Sequence, residues 1–108
     1  MKATELGDFE ELVLMAICVI GSQAYAVNVK AELENRLQKR INISAIHTAL
    51  YRLEDKGFLK SEIGGATKER GGRRKRFFTP TAAGKSAIAK LKAVREGMYK
   101  LIPDISNG

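Results

Sequence analysis

The periodicity of hydrophobic residues changes twice along this chain, and the change limits the folds it can adopt. Up to Gly57, apolar residues recur at the three- and four-residue steps of helices. From Phe58 to Thr79 they alternate as in β-strands, and after Thr81 the helical step returns. A chain of 108 residues can bury one core but not two. Residues 1–108 are therefore predicted to form one domain, mainly α-helical with a small β-hairpin.

The first helix is predicted to run from about Asp8, as N-cap, to Ile20, where Gly21 ends it. Its apolar side chains cover nearly the whole circumference of the helix. In a protein of this size, such a helix must be packed against other elements on two sides. Three of these side chains lie off the core stripe and are predicted to face a partner subunit or an effector: Leu14, Met15 and Cys18. Cys18 is the single cysteine and is expected to be a small buried packing residue.

Two further helices are predicted before the hairpin. One runs from about Tyr25 to Gln38, with two outward pairs of opposite charge four residues apart. The short segment 41–43 alternates and could add one brief strand. Ser44 then offers the N-cap of the next helix, from about Ala45 to Lys56. The inward stripe of that helix is predicted to consist of Ile46, Leu50 and Leu53.

The alternating segment predicts a β-hairpin with strands over about residues 58–63 and 74–79 and a glycine-rich tip. Thr81 is predicted to cap the last helix, from about Ala82 to Ile102, before Pro103 stops it and residues 103–108 fray. Four apolar residues of this helix have the spacing of a coiled-coil seam: Leu91, Val94, Met98 and Leu101. A helix after the hairpin has little core left to cover, so dimerisation through residues 81–102 is favoured over packing within one chain.

The charge of the chain is uneven. Its formal net charge is +7, and residues 67–76 hold six cations and one anion, or +5 of that total. Such a local excess favours nucleic acid, since cations that neutralise phosphates release condensed counterions. The longest apolar-rich stretch covers nine residues, about half of what a membrane span needs. With no membrane span and no secretion signal at the start, the cytoplasm is the expected location.

The order of these elements, with a tight connection between the second and third helices, is that of a winged helix-turn-helix over residues 5–80. A helix about 10 to 12 Å across fits a major groove about 12 Å wide, and a basic hairpin can follow the neighbouring phosphates. The third helix is therefore predicted to read bases and the hairpin to bind the backbone. The candidate DNA-binding residues are Ser44, Ala45, His47, Thr48, Tyr51, Arg52, Lys68, Arg70, Arg73 and Arg74.

Several of these assignments have plainer alternatives. A run of basic residues is often only solvated surface. His47 could be a core residue, a DNA contact or a pH-sensitive group, and its position on the outward face favours DNA. Tyr51 and Arg52 could simply cover the apolar edge of the helix, although a phosphate contact is favoured for Arg52. Lys75 and Arg76 are less favoured as phosphate contacts, because alternate residues of a strand face opposite sides.

Three stretches carry a family resemblance. Residues 6–14, 48–59 and 69–78 read LGDFEELVL, TALYRLEDKGFL and ERGGRRKRFF. With them, the chain resembles the PadR family of transcriptional regulators over residues 5 to about 100, as a short member with a single C-terminal helix. The resemblance implies a dimer whose first and last helices pack across the two-fold axis, with paired wings beside paired recognition helices.

The chain departs from the family pattern at several positions. The family usually has glycine where Ala26 and Ser44 stand here, and tyrosine where His47 stands. His47 falls on the presumed DNA-binding face, so contacts of the family do not transfer directly to that position. Some members have a tryptophan that lines a drug-binding space between subunits, and this chain has no tryptophan.

These observations favour a homodimeric repressor that binds a roughly palindromic operator of double-stranded DNA and is released by a small hydrophobic effector. The alternative is a winged-helix module whose basic hairpin docks an acidic protein. The sequence has no catalytic nucleophile paired with a general base, no phosphate-cradling loop and no cluster of metal ligands. We therefore expect no enzyme activity, metal or cofactor.

Overall fold

The computed structural model describes residues 5–64 and 74–103. Its elements follow in the order α1 (Asp8–Ile20), α2 (Ala26–Leu37), α3 (Ile43–Asp55), β1 (Leu59–Ile63), β2 (Arg76–Pro80) and α4 (Ala82–Tyr99). β1 and β2 form a two-stranded antiparallel sheet, from Leu59 opposite Pro80 to Ile63 opposite Arg76. The prediction of a mainly helical chain with one β-hairpin is confirmed, and the arrangement is that of a winged helix with the hairpin as the wing.

Helix α1 lies at the centre, in contact with α2, α3, α4 and β2. Because it is covered on several sides within one chain, Leu14 is fully buried in the core, and its predicted place off the core was wrong. Cys18 was also misplaced, since it is exposed and not packed inside. Although the side chain is exposed, nearby protein atoms partly desolvate the thiol and raise its pKa.

The turn between α2 and α3 differs from the prediction. Gln38, with φ of 57°, ends α2 in the left-handed conformation. No strand forms at residues 41–43. The N-cap of α3 is Asn42 and not Ser44, because the Asn42 Oδ1 accepts the Ser44 N–H at 2.9 Å. Helix α3 therefore begins two residues earlier than predicted, at Ile43.

Charged side chains support α2 as the sequence indicates. The two predicted ion pairs form, between Lys30 and Glu34 and between Glu32 and Arg36. Glu34 also accepts the Ile41 N–H at 2.8 Å, and this bond fixes the turn into α3. That backbone hydrogen bond, followed by the contact with Lys30, lowers the pKa of the Glu34 carboxyl.

Helix α4 begins against the hairpin and extends away from it. The Thr81 side chain caps it as predicted, accepting the Gly84 N–H at 3.0 Å. Its last helical residue is Tyr99, three residues before the predicted end, and a turn follows to Pro103. Residues 104–108 of the predicted frayed tail lie outside the described residues. None of the helices described is long and apolar enough to cross a membrane.

Candidate nucleic-acid interface

Helix α3 has one buried and one exposed face. Ile46, Leu50 and Leu53 are fully buried, as predicted, because α1 and α2 pack against them. All of the candidate DNA-binding residues on this helix are exposed: Ser44, Ala45, His47, Thr48, Tyr51 and Arg52. The 3.6-residue period of the helix is the reason, since the inward positions recur three and four residues apart and leave the others outside. An exposed helix of this kind can enter a major groove.

The exposed residues of α3 divide between two clefts. His47 and Tyr51 line a cleft of about 380 Å³ beside the hairpin, which we call the wing cleft, and Arg74 lines it from the other side. Ala45, Thr48 and Arg52 line a second cleft of about 570 Å³, the α1 cleft, between α3 and the start of α1. The structure therefore brings His47 and Tyr51 together with Arg74 and places Thr48 and Arg52 at the opposite edge of the same exposed face.

Aromatic and cationic side chains dominate the wing cleft. The rings of His47 and Tyr51 are stacked, with centroids 6.1 Å apart and planes inclined by 21°. Tyr25 also lines this cleft, and its ring is 4.4 Å from the Lys75 Nζ and 5.9 Å from the ring centroid of Phe77. Flat rings and cations together suit a polyanion that also presents bases.

A buried ion pair lies at the edge of the α1 cleft. The Lys56 Nζ donates to the Glu10 Oε1 at 2.6 Å and to the carbonyl oxygen of Glu5 at 2.6 Å, while the Gly7 N–H donates to the same Glu10 oxygen at 2.9 Å. Burial alone would raise the pKa of the Glu10 carboxyl, but these hydrogen bonds and the charges of Lys56 and Arg52 outweigh it and lower the pKa from 4.5. The pair ties the end of α3 to the start of α1.

Three of the predicted wing residues, Lys68, Arg70 and Arg73, lie outside the described residues. Sequence reasoning missed Tyr25, because it was assigned only to the start of a helix. It also missed the capping role of Asn42, although an asparagine just before a stretch with helical periodicity is a usual N-cap signal. Only the Asn42 signal could have been read from the sequence, since Tyr25 meets the hairpin through the tertiary fold.

The residues predicted for dimerisation lie in different surroundings. Met15 is half-buried in a groove of about 550 Å³ between α1 and α4, whose far side is formed by Ile88 and Tyr99. Leu91 is half-buried in another groove, beside Leu6 and Phe58. Val94, Met98 and Leu101 are exposed. Of the predicted set, only Leu14 is removed from any surface by the packing of one chain.

The chain is similar to known proteins both in sequence and in fold. The family model for the "Transcriptional regulator PadR-like family" matches residues 15–90. No curated protein sequence matches the chain significantly. Among solved structures, a transcriptional regulator from Clostridium thermocellum is similar with a TM-score of 0.68 and 18% sequence identity, over 90% of this chain and 89% of that one.

Two further solved structures share the fold. A PadR family transcription regulator from Clostridium difficile has a TM-score of 0.67 and 19% identity, over 86% of this chain and 93% of that one. The PadR protein of Bacillus subtilis in complex with operator DNA has a TM-score of 0.65 and 17% identity, over 78% of this chain and 46% of that one. At these identities the likeness concerns the fold.

Proposed function

Since this chain belongs to the PadR-like family of transcriptional regulators, we propose that it binds operator DNA as a homodimer and represses transcription in the cytoplasm. The proposal rests above all on one observation: His47 and Tyr51 of α3 and Arg74 of the wing line the same cleft. A helix and a basic hairpin on one side of the molecule can meet a single duplex, the helix in the major groove and the wing along the backbone.

The surface of α3 supports base reading. Its exposed face offers the Thr48 hydroxyl, the Arg52 guanidinium and the stacked rings of His47 and Tyr51. Such side chains make hydrogen bonds and apolar contacts to base edges, and basic residues of the wing hold phosphates. The Bacillus subtilis protein whose structure contains operator DNA has the same fold, and this supports a DNA-binding role for the corresponding helix and wing here.

Exposed apolar residues on α4 support a dimer. Val94, Met98 and Leu101 are 58%, 62% and 82% exposed in the single chain. They continue the line of Leu91, which is half-buried beside Phe58, so one stripe runs along the C-terminal half of α4 and into the turn that follows it. A contiguous apolar stripe of this length is costly in water, and a second copy of the chain would cover it.

We propose that a small hydrophobic effector binds in the groove between α1 and α4, and that its binding releases the protein from the operator. Met15, Ile88 and Tyr99 give the groove an apolar lining, and the ion pair of Arg95 with Glu11 at 2.7 Å crosses between the two helices. An effector that prefers one dimer arrangement would change the spacing of the two α3 helices and so weaken operator binding. A thermal-shift screen of hydrophobic compounds tests this step, and a melting temperature unmoved by all of them would contradict it.

The DNA-binding function is tested by selection from a library of randomised duplexes. The selected duplex is then compared with a scrambled duplex of equal composition by fluorescence anisotropy at several salt concentrations. We expect a preference of roughly a thousandfold or more for the selected duplex and a steep fall of affinity with salt. Equal, weak binding to both duplexes would contradict the proposal and favour the docking of an acidic protein on the wing.

A further inference from the structure

Arg76 on the wing contacts other residues of this chain. Its Nη1 donates to the Ser61 Oγ at 2.9 Å, and the Ser61 Oγ donates to the Glu54 Oε2 at 2.7 Å. A hydroxyl has one hydrogen, so it can join the two charged groups only in this order, accepting from the guanidinium and donating to the carboxylate. The three side chains, which we call the wing relay, link α3 through β1 to β2.

The register of the hairpin explains why Arg76 points to α3. Ser61 is paired with Phe78, and Arg76 is two residues before Phe78 on the same strand. Residues two apart face the same side of a strand, and Phe78 is buried against the helical core. Arg76 therefore lies at the rim of the core-facing side, where its guanidinium reaches Ser61, which in turn is bonded to Glu54 near the end of α3.

Lys75 supports the opposite side of the wing. Its Nζ lies 4.4 Å from the centre of the Tyr25 ring, and Tyr25 in turn meets Phe77 edge to face. This contact joins β2 to the start of α2, where the Phe78 N–H also donates to the carbonyl oxygen of Ala24 at 2.9 Å. By contrast, the exposed Arg74 makes no hydrogen bond or ion pair within residues 5–64 and 74–103.

We infer that Arg76 is a positioning residue: with Ser61 and Glu54 it fixes the angle between the wing and α3, and so determines operator preference, whereas Arg74 contacts phosphate. This inference rests on the proposed function. Base contacts require the helix to be held to a fraction of an ångström, but contacts with phosphates tolerate sliding and turning. A loosened wing therefore weakens binding to the preferred duplex more than to a scrambled one.

The substitution Ser61→Ala tests the wing relay, because it breaks the relay and leaves every charge in place. We expect the preference for the selected over the scrambled duplex to fall about tenfold, the size of effect that follows from losing a hydrogen bond to a charged group. The slope of log affinity against log salt should stay unchanged, since no phosphate contact is removed. Ser61→Thr keeps the hydroxyl and should restore the preference, and Thr79→Ala removes an exposed hydroxyl from the same hairpin as a matched control.

The pair Arg76→Ala and Arg74→Ala separates positioning from phosphate binding. Arg76→Ala should reproduce the Ser61→Ala result with an unchanged salt slope, and the double variant Ser61→Ala/Arg76→Ala should be no worse than Arg76→Ala alone. Arg74→Ala should weaken both duplexes alike and reduce the slope by about 0.9. The inference would be overturned if Arg76→Ala reduced the salt slope as much as Arg74→Ala does. It would also be overturned if Ser61→Ala kept the wild-type preference for the selected over the scrambled duplex.

Hydrogen exchange of the free protein tests the wing relay without DNA. The Gly64 N–H donates to the carbonyl oxygen of Lys75 at 2.7 Å and closes the described part of the hairpin. Ser61→Ala should speed exchange of this amide relative to wild type, while Thr79→Ala should not. Unchanged exchange in Ser61→Ala would count against the wing relay, whereas a wild-type protein that prefers no duplex would contradict the proposed function alone.

Discussion

Glu10 is a charged residue that is buried in the core, and its environment explains why it remains ionised. A buried carboxylate is stable only when its oxygens are hydrogen-bonded and paired. Here the Gly7 N–H and the Lys56 ammonium supply both. Because Lys56 directly follows α3 and Glu10 belongs to α1, the pair fixes the end of the candidate recognition helix to the centre of the fold.

Lys56→Met should therefore lower the free energy of unfolding by about 1–3 kcal/mol at pH 7, since it leaves a buried carboxylate short of a partner. The lowered pKa of Glu10 means that this stabilisation is present above its ordinary value of 4.5 and is lost as the pH falls through the folded value. The difference between wild type and variant should thus shrink on acidification. Urea denaturation at pH 7 and at low pH measures both effects.

Lys92→Met is the matched control for this substitution. Lys92 is exposed and meets Glu96 only at 4.0 Å, so its loss should change the free energy of unfolding by less than about 0.5 kcal/mol. If Lys56→Met were as mild as Lys92→Met, the buried pair would not stabilise the junction of α1 and α3.

His47 and Thr48 are adjacent in sequence but line different clefts beside α3. We predict that His47→Ala and Thr48→Ala each alter operator preference more than overall affinity, at different base positions. A lost base contact is worth about 1–3 kcal/mol of discrimination, or roughly tenfold or more at that position. Competition among all single-base variants of the selected duplex measures this, and an unchanged ranking of those variants would argue against base reading by α3.

Helix α4 depends on a close approach to the hairpin at one residue. A Cβ added to Gly84 would lie 2.2 Å from the carbonyl oxygen of Phe58, a backbone atom that cannot move aside easily. Gly84→Ala should therefore lower the free energy of unfolding by about 1–3 kcal/mol through overpacking. Thermal or urea denaturation monitored by circular dichroism measures the change.

Gly97→Ala provides the contrast on the same helix. A Cβ at Gly97 meets nothing within 4 Å, and alanine is a better helix former than glycine by about 1 kcal/mol. This variant should be more stable than wild type. A loss of stability in Gly97→Ala, or none in Gly84→Ala, would show that α4 packs differently from the structure described.

As a whole, the molecule leaves the stripe Leu91, Val94, Met98 and Leu101 incompletely covered. Val94→Glu should raise the dissociation constant of the dimer roughly a hundredfold, because an unpaired charge buried in an interface costs about 3 kcal/mol. Sedimentation over a concentration series measures the monomer–dimer equilibrium.

Ala89→Glu introduces the same charge at an exposed position about 140° around α4 from Val94. It should leave the dimer intact. A wild-type chain that stays monomeric at every concentration, or equal effects of the two substitutions, would contradict dimerisation through this stripe.

Local patterns in the sequence determined the elements of this protein and their order. Apolar residues at helical steps define α1 to α4, alternation and the glycine-rich tip define the hairpin, and Thr81 signals the start of α4. These signals involve residues within a few positions of one another, so the sequence displays them directly.

The tertiary structure alone decided which side of each element is covered and which distant residues meet. Leu14 is buried and Cys18 exposed because of how four elements pack around α1. The contacts of Arg76 with Ser61, of Lys75 with Tyr25 and of Lys56 with Glu10 join residues 15 to 50 positions apart. Such contacts depend on the relative placement of whole elements, which no local periodicity encodes, and so the basic run could not reveal which cations bind within the chain.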